Sequence, residues 1–147
     1  MEPVTVRMVE KDMVHYAVNW SAMEKVDKYQ IINTVPAMAG IFELYFMDEK
    51  KKLNLFYFAL AWYGGLRHTL RQITDPDLNL TAPDRRKVLE DRECYYRYSL
   101  VSSYDDLADI LHYLAAHKLS AAQAPPPSGR FADIYLDENS PDKIITL

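Results

Sequence analysis

The sequence has little of several features on which common kinds of site depend. Its 147 residues include one cysteine, Cys94, and four glycines. These counts exclude an internal disulfide framework and a metal site of several cysteines, and they nearly exclude a glycine-rich phosphate loop. No uncharged apolar run reaches the roughly 18 residues that cross a membrane, and the start at Met1 lacks the layout of a signal peptide. We therefore expect a cytoplasmic protein with no membrane association.

An excess of positive charge is also missing, because 17 Lys and Arg stand against 21 Asp and Glu, a net charge of −4. This balance argues against a protein that binds nucleic acid over its whole surface. The charges are unevenly distributed, however. Residues 50–97 carry ten basic and six acidic residues, a local balance of +4, and the remainder of the chain carries −8. The middle of the chain is therefore where an anion is most easily accommodated.

Apolar and aromatic residues are plentiful, at 49% and 12% of the chain. Two nearly continuous apolar runs, Gly40–Met47 and Leu53–Leu60, flank the five charged residues 48–52. This pattern predicts a hairpin whose strands are mostly buried. Strands buried on both faces require helices packed on the sheet.

The segments after the hairpin alternate between helical and strand patterns. A stripe of Leu66, Leu70 and Ile73 predicts a short helix that ends before Pro76. A second helix is predicted to begin after Thr81, which is its predicted N-cap, and to place Val88 and Leu89 on its inner face. The alternation over Cys94–Ser102 predicts a third strand. Ser103 has the spacing of a helix cap, and the helix behind it carries an apolar face of Leu107, Ile110, Leu111 and Leu114.

Both ends of the chain are harder to interpret. Alternation on either side of residues 10–12 favours two strands, although the spacing of residues 13–20 also fits a helix. Ser21 and Glu24 have capping-box spacing, which predicts a short helix over residues 22–29. Pro125–Pro127 indicates an extended linker, and Phe131–Leu136 fits one more short strand.

These elements predict an α+β fold. Its small antiparallel sheet has three central strands, is open to extension by terminal strands and is flanked by helices. We divide the chain into an N-terminal extension over 1–35 that packs on the domain, a central α+β domain over 36–119, and a Pro-rich linker and tail over 120–147.

The central domain resembles the GIY-YIG nuclease family in the order of its elements. Gly40-Ile41-Phe42 resembles the first half of the signature, and Phe58-Ala59-Leu60 stands where the second half would close the next strand. The run Leu66–Arg71 is similar to the family's arginine helix, and Tyr98–Ala108 is similar to its third strand and glutamate helix. The resemblance implies a three-stranded antiparallel sheet with helices around it. It also implies cleavage by two tyrosines, an arginine and a glutamate that holds a divalent metal.

The catalytic residues of that family are largely absent from this chain. Phe42 replaces the first tyrosine, Phe58-Ala59-Leu60 has neither tyrosine nor glycine, and Thr69 stands at the arginine position. The glutamate position falls near His112, and no glutamate occurs between residues 100 and 123. We therefore predict a GIY-YIG-like domain that has lost the nuclease site.

Three functions remain open. The first is a non-catalytic module that binds another protein or a second copy of itself, through the aromatic sheet region or the segment Phe131–Leu136. It needs no cofactor and no metal. The second is a divergent nuclease, which alone would need Mg²⁺ or Mn²⁺, with altered roles for Tyr63, Arg67, Arg71, Asp109 and His112. The third is a nucleic-acid binder without cleavage, whose anion-binding candidates are Lys50, Lys51, Lys52, Arg67 and Arg71.

Each of these residues also has a plainer interpretation. Arg67 and Arg71 are one turn apart and fit the solvated face of an ordinary amphipathic helix. His68 and His112 fit ordinary surface histidines. The sequence has no cluster of His, Cys, Asp and Glu with the spacing of metal ligands, so neither is predicted to bind a metal. The aromatic residues fit a sheet core with a partner-facing surface.

Overall fold

Strands and helices alternate along the chain in a computed structural model that describes residues 2–78, 82–118 and 125–142. The strands are β1 (Val6–Glu10), β2 (Met13–Asn19), β3 (Glu24–Lys25), β4 (Gly40–Met47), β5 (Leu53–Ala61), β6 (Cys94–Leu100) and β7 (Asp133–Asn139). The helices are α1 (Lys28–Thr34), α2 (Gly65–Thr74), α3 (Pro83–Asp91) and α4 (Tyr104–His117). The α+β class predicted from the sequence is confirmed.

The predicted hairpin forms the centre of a four-stranded antiparallel sheet in the order β3-β6-β4-β5. Gly40 pairs with Ala61 of β5 on one side and with Leu100 of β6 on the other. The three central strands are thus the predicted ones, within about two residues at their ends. β4 lies inside the sheet and is buried on both faces over Gly40–Tyr45, whereas β5 is an edge strand and is mostly half-buried.

The ends of the chain form a second sheet in the order β1-β2-β7. β1 and β2 are an antiparallel hairpin around Lys11 and Asp12, as the alternation predicted. β7 runs parallel to β2 over all seven residues, from Met13–Asp133 to Asn19–Asn139. Of the strands near the ends of the chain, only the short β3 extends the central sheet.

The helix predicted over residues 22–29 is wrong. That segment contains β3, and α1 begins only at Lys28, with Asp27 as its cap. The Asp27 carboxylate accepts hydrogen bonds from the backbone N–H groups of Tyr29 and Gln30, at 2.8 and 3.0 Å. Ser21 continues the edge pairing of β6 instead, because its backbone N–H donates to Tyr98 O at 2.7 Å and its hydroxyl accepts from Tyr98 N at 2.9 Å.

The two faces of the central sheet bury different sets of residues. On one face α1 and α2 pack through Ile31, Leu66 and Leu70 against Phe42 and Leu44. On the other face the predicted stripe of α4 packs against the central sheet and against the inner face of β2. That core contains Val14, Tyr16, Val18, Trp20, Ile41, Phe58, Val101, Leu107, Ile110, Leu111 and Leu114. The helix α4 therefore lies between two layers of strands, and β2 belongs to the same core as the central domain.

The sequence signals for α3 and α4 have different outcomes. Ser103 caps α4 as predicted, since its hydroxyl accepts from the Asp106 N–H at 3.3 Å. The predicted cap Thr81 lies outside the described residues, and α3 begins at Pro83 after Ala82. Val88 and Leu89 of α3 are only half-buried. In the described part of the chain, no helix has the length and apolar character needed to cross a membrane. The division of the chain at residues 36 and 120 stays a prediction.

Candidate functional site

The residues of the divergent-nuclease hypothesis lie on both faces of the central sheet. Phe42, at the first signature position, is fully buried beneath α1 and α2. Arg67 and Arg71 are on α2, on the same face. Asp109 and His112 are on α4, which covers the opposite face. Tyr63 lies in the exposed turn between β5 and α2. The structure therefore separates Arg67 and Arg71 from Asp109 and His112 by the central sheet.

The two arginines of α2 have different surroundings. The Arg67 Nε donates a 2.8 Å hydrogen bond to the backbone oxygen of Val35, which is the C-cap of α1. A cation at a helix C-terminus is favourable because the last carbonyls carry partial negative charge. Arg67 therefore joins α2 to α1. The Arg71 Nε is buried and has no hydrogen-bond partner among the described residues.

Asp109 is held by the C-terminal segment. Its side chain is 1% exposed, and its two oxygens accept hydrogen bonds from the backbone N–H and the hydroxyl of Ser128, each at 2.7 Å. The Arg130 guanidinium adds an ion pair at 3.0 Å. His112, on the same helix, is exposed, as its plainer interpretation predicted. No group of three or more His, Cys, Asp or Glu in the described chain is placed to hold a metal ion.

The three lysines of the anion-binding hypothesis lie in the β4–β5 loop, at the other end of the hairpin from the start of α2. Asp48 organises this loop, because its carboxylate accepts from the backbone N–H groups of Lys52 and Lys50 at 3.0 and 2.8 Å. The bond from Lys52 is the first cause of the lowered pKa of Asp48, followed by the bond from the Asn54 side chain. Lys50 and Lys51 are exposed and Lys52 is half-buried.

Much of the basic excess in the middle of the sequence contacts the protein itself. The Arg85 guanidinium lies 4.2 Å from the ring centre of Tyr57, and Arg92 lies 5.7 Å from that of Phe46. Arg97 is buried. With Arg67 these make four of the ten basic residues counted between 50 and 97. Of these four, Arg97 is therefore closed to a ligand, and the other three have contacts within the chain.

Sequence reasoning missed a buried charge cluster in the core between the central sheet and β2. Glu43 of β4 is 0% exposed. One of its oxygens accepts from the Tyr45 hydroxyl at 2.8 Å and from the Arg97 Nε at 2.7 Å. The other accepts from the Lys118 Nζ at 2.9 Å. Burial and the charge of Glu43 raise the pKa of Tyr45, so its phenol remains a donor.

The same cluster connects β7 to the central sheet. Glu138 of β7 accepts from the Lys118 Nζ at 2.7 Å and from the Trp20 indole N–H at 2.9 Å. The Arg97 guanidinium lies over the Trp20 ring, 4.5 Å from its centre. Two carboxylates and two cations balance one another, so the cluster carries no net charge.

This arrangement is structural rather than catalytic. Glu43 is closed to solvent, and both of its oxygens are engaged by protein donors. One signal in the sequence indicates such a cluster: Glu43 interrupts the otherwise apolar run Gly40–Met47. A carboxylate within a buried strand requires a cation or several donors, because burying an unpaired charge is very costly.

A different surface is unusually apolar. At the end of the hairpin where β5 leads into α2, Met38, Trp62, Tyr63 and Tyr104 are 57%, 36%, 86% and 41% exposed. Trp62 and Tyr104 meet edge to face with their ring centres 5.7 Å apart. Met38 lies beside the start of α2, since its carbonyl accepts from the Leu66 N–H at 2.8 Å. We call these four residues the aromatic end.

The backbone around the aromatic end is closely fitted. Gly64 and Gly65 have φ of 79° and 78°, which side-chain-bearing residues rarely adopt. A Cβ on Gly65 would lie 2.8 Å from the backbone of Ala37 and Met38. The turn into α2 therefore fixes the position of Tyr63 relative to the loop that contains Met38.

Comparison with known proteins gives a family but no named activity. A family model with the description "Uncharacterised protein" matches residues 4–147. No curated protein and no solved structure matches the chain. The resemblance to GIY-YIG nucleases thus stays a prediction. Since the model covers nearly the whole sequence, the chain belongs to this family of uncharacterised proteins.

Proposed function

We propose that this chain is a non-catalytic interaction module built on a GIY-YIG-like scaffold, and that the aromatic end is its contact surface. The observation that carries the proposal is the exposure of Met38, Trp62, Tyr63 and Tyr104 at the end of the hairpin where β5 leads into α2, with Trp62 and Tyr104 in edge-to-face contact. Single apolar side chains are common on protein surfaces, but adjacent large ones typically mark an interaction site. Tryptophan and tyrosine are also the residues that most often dominate binding energy.

The positions of the polar residues support a module without catalysis. The candidate nuclease residues lie on opposite faces of the sheet, Asp109 is engaged by Ser128 and Arg130, and Glu43 is sealed in the core. A hydrolytic site needs a carboxylate or another metal ligand that faces solvent beside its arginine. The carboxylates of Asp109 and Glu43 are instead committed to contacts within the chain.

The charge beside the aromatic end favours a protein partner over a nucleic acid. Tyr104 is followed by Asp105 and Asp106 in the first turn of α4. Surfaces that stack single-stranded bases combine aromatic rings with positive charge. Asp106 is paired with Arg7 and Arg130, so the exposed carboxylate of Asp105 is the group that repels phosphate. It is compatible with another protein or with a second copy of this chain.

One set of experiments separates the three functions. The purified chain is incubated with labelled single- and double-stranded DNA and RNA in the presence of Mg²⁺ or Mn²⁺. The proposal expects no cleavage and no salt-dependent binding. Cleavage that disappears in Arg71→Ala but persists in the control Lys87→Ala would overturn it. Binding without cleavage that weakens in Lys51→Ala would select the nucleic-acid binder instead.

The contact surface is tested by a photoreactive cross-linking side chain placed at residue 63, with residue 29 as the matched position. Tyr29 is similarly exposed, at 68%, but lies on α1. The proposal expects a discrete cross-linked product, with a second copy or with one other protein, from position 63. It also expects the same product to be lost in Trp62→Ala. Equal labelling from both positions would contradict the assignment of the surface.

A further inference from the structure

The C-terminal segment is attached to the rest of the protein as an outer layer. We call residues 128–139 the C-terminal strap. Its strand β7 pairs only with β2 in the described chain. Ile134 and Leu136 of β7 are half-buried and pack on the core with Phe131, and the Glu138 side chain joins the charge cluster. The other side chains of β7 are exposed. The strap therefore contributes few apolar contacts relative to the length of backbone that it pairs.

The surface beneath the strap, in contrast, needs a cover. Val14, Tyr16 and Val18 of β2 are fully buried. Without β7 the edge of β2 would present unpaired backbone groups next to this apolar core. The edge is covered by a parallel strand, but nothing in the pairing requires that the strand come from the same chain.

A charged anchor fixes the strap to α4. The carboxylates of Asp106 and Asp109 and the hydroxyl of Tyr16 form what we call the acidic notch. The Arg130 Nη2 bridges Asp106 and Asp109 at 2.9 and 3.0 Å, and Tyr16 donates to Asp106 at 2.8 Å. Ser128 donates twice to Asp109. Two acidic groups that are largely buried receive a guanidinium, so the notch and the strap are complementary in charge.

The connector before the anchor is long. Nine residues, 119–127, separate Lys118 from Ser128, and when extended they span about 30 Å. Three of them are Pro125–Pro127, which have no backbone N–H and favour an extended conformation over a tight reversal. A strap on such a connector can reach the notch of a neighbouring molecule.

We propose that the C-terminal strap exchanges between two copies of this chain. In the exchanged dimer the Arg130 of each copy enters the acidic notch of the other, and each β7 pairs with the β2 of the other. Every contact of the closed chain is recovered, so the two forms differ mainly in the connector and in the cost of association. The proposal involves none of the four residues of the aromatic end and does not depend on the function proposed for that end.

Cysteine pairs placed across the β2–β7 register test the exchange in the full chain. His15 and Tyr135 are register partners, and neighbouring strands lie about 4.8 Å apart, within reach of a disulfide. One chain carries His15→Cys and a second, isotope-labelled chain carries Tyr135→Cys, each with Cys94→Ser. The two chains are mixed at high concentration, allowed to equilibrate and then oxidised. A disulfide between them requires the strap of one copy on the β2 of the other.

The expected result is a linked labelled–unlabelled dimer, at least about tenfold more abundant than in a control mixture. In that control Ser102→Cys, an exposed position outside β2, replaces His15→Cys. Equal yields in the two mixtures would overturn the exchange. The exchange would also be overturned if the mixture gave no linked dimer although a single chain carrying both substitutions closes its disulfide internally. If that chain also fails to close, the pairing of β7 with β2 is itself refuted, and the proposal falls with it.

The role of the notch has its own readout. Arg130→Ala removes the guanidinium from both forms alike, so it should leave the final yield nearly unchanged. Linked dimer should instead appear roughly tenfold faster, because the strap is released more easily. Lys87→Ala, an exposed charge change on α3, is the matched control and should have the wild-type rate. An unchanged rate in Arg130→Ala contradicts the assignment of the notch as the anchor. Trp62→Ala should alter neither rate nor yield, which separates this test from that of the aromatic end.

Discussion

Replacing Glu43 by glutamine tests whether the buried charge cluster determines the stability of the core. The carboxylate accepts from Tyr45, Arg97 and Lys118 without exposure to solvent. In Glu43→Gln the amide oxygen can still accept from Arg97, but the amide NH₂ then faces the Lys118 ammonium, which is also a donor. Among the described residues, Arg97 keeps only Glu138, at 3.7 Å, as a carboxylate neighbour.

Removing one partner of a buried ion pair typically costs 3–5 kcal/mol. The retained bond to Arg97 and the partial exposure of Lys118, at 25% of its side chain, place the expected loss near the lower end, at about 3 kcal/mol. With a urea dependence of about 2 kcal/mol per molar, the unfolding midpoint should fall by about 1.5 M. Glu49→Gln, an exposed carboxylate in the β4–β5 loop, is the control and should change stability by less than about 0.5 kcal/mol.

Equilibrium unfolding in urea, followed by circular dichroism, measures both variants. A double variant, Glu43→Gln with Arg97→Met, adds the coupling between the two side chains. Because the second substitution removes the charge that the first one strands, the combined loss should be smaller than the sum of the single losses by at least about 1 kcal/mol. A loss below about 1 kcal/mol for Glu43→Gln, or strictly additive losses, would refute the view that these charges act as one buried unit.

Three further predictions concern the backbone and the titration of buried groups. Gly65→Ala should destabilise the fold by roughly 2 kcal/mol, measured by urea unfolding, because it combines a positive φ with a Cβ 2.8 Å from backbone. Ser103→Ala should cost about 1 kcal/mol in the same assay through loss of the α4 cap. Burial raises the pKa of the Cys94 thiol from 9.0 to about 11 and that of Tyr96 from 10.0 to about 12. The folded chain then holds protons that the unfolded chain releases, so these groups lower stability as the pH rises from 9 through 12 and have no effect below their ordinary pKa values. Thermal unfolding at increasing pH and the phenolate absorbance of the native chain check this, and a Tyr96 that ionises near pH 10 without unfolding would contradict it.

Elements with a strong local pattern were predicted well. The central hairpin follows from two apolar runs around a charged loop. The cap Ser103 follows from capping-box spacing, and the apolar stripe of α4 follows from helical periodicity. The first two strands follow from alternation. The helix predicted after Ser21 failed because Ser21 pairs with the edge of β6, whereas Asp27 provides the cap that α1 uses. When two nearby polar residues could each cap a helix, the sequence does not show which of them is engaged elsewhere in the tertiary structure and which is left to form the cap.

For the candidate site residues, the sequence showed their charge but not the contacts that the fold gives them. Arg67 and Asp109 were singled out for their charge, but the structure uses them for contacts with Val35 and with the C-terminal strap. Arg97 was counted in the positive charge balance of residues 50–97, but it lies in the core. Packing between distant segments decides which face of a sheet a helix covers. The spacing of charges along the chain does not predict it.

The sequence by itself determined the α+β class, the central antiparallel strands and the apolar faces of α2 and α4, because these depend on periodicity within a few neighbouring residues. Only the tertiary structure decided that segments near the two ends of the chain form a second sheet, that β7 lies parallel to β2, and that Arg97 and Lys118 join Glu43 to Glu138. These contacts join residues dozens of positions apart. They exist because the buried face of β2 and the buried charge of Glu43 each need a partner that no local segment supplies.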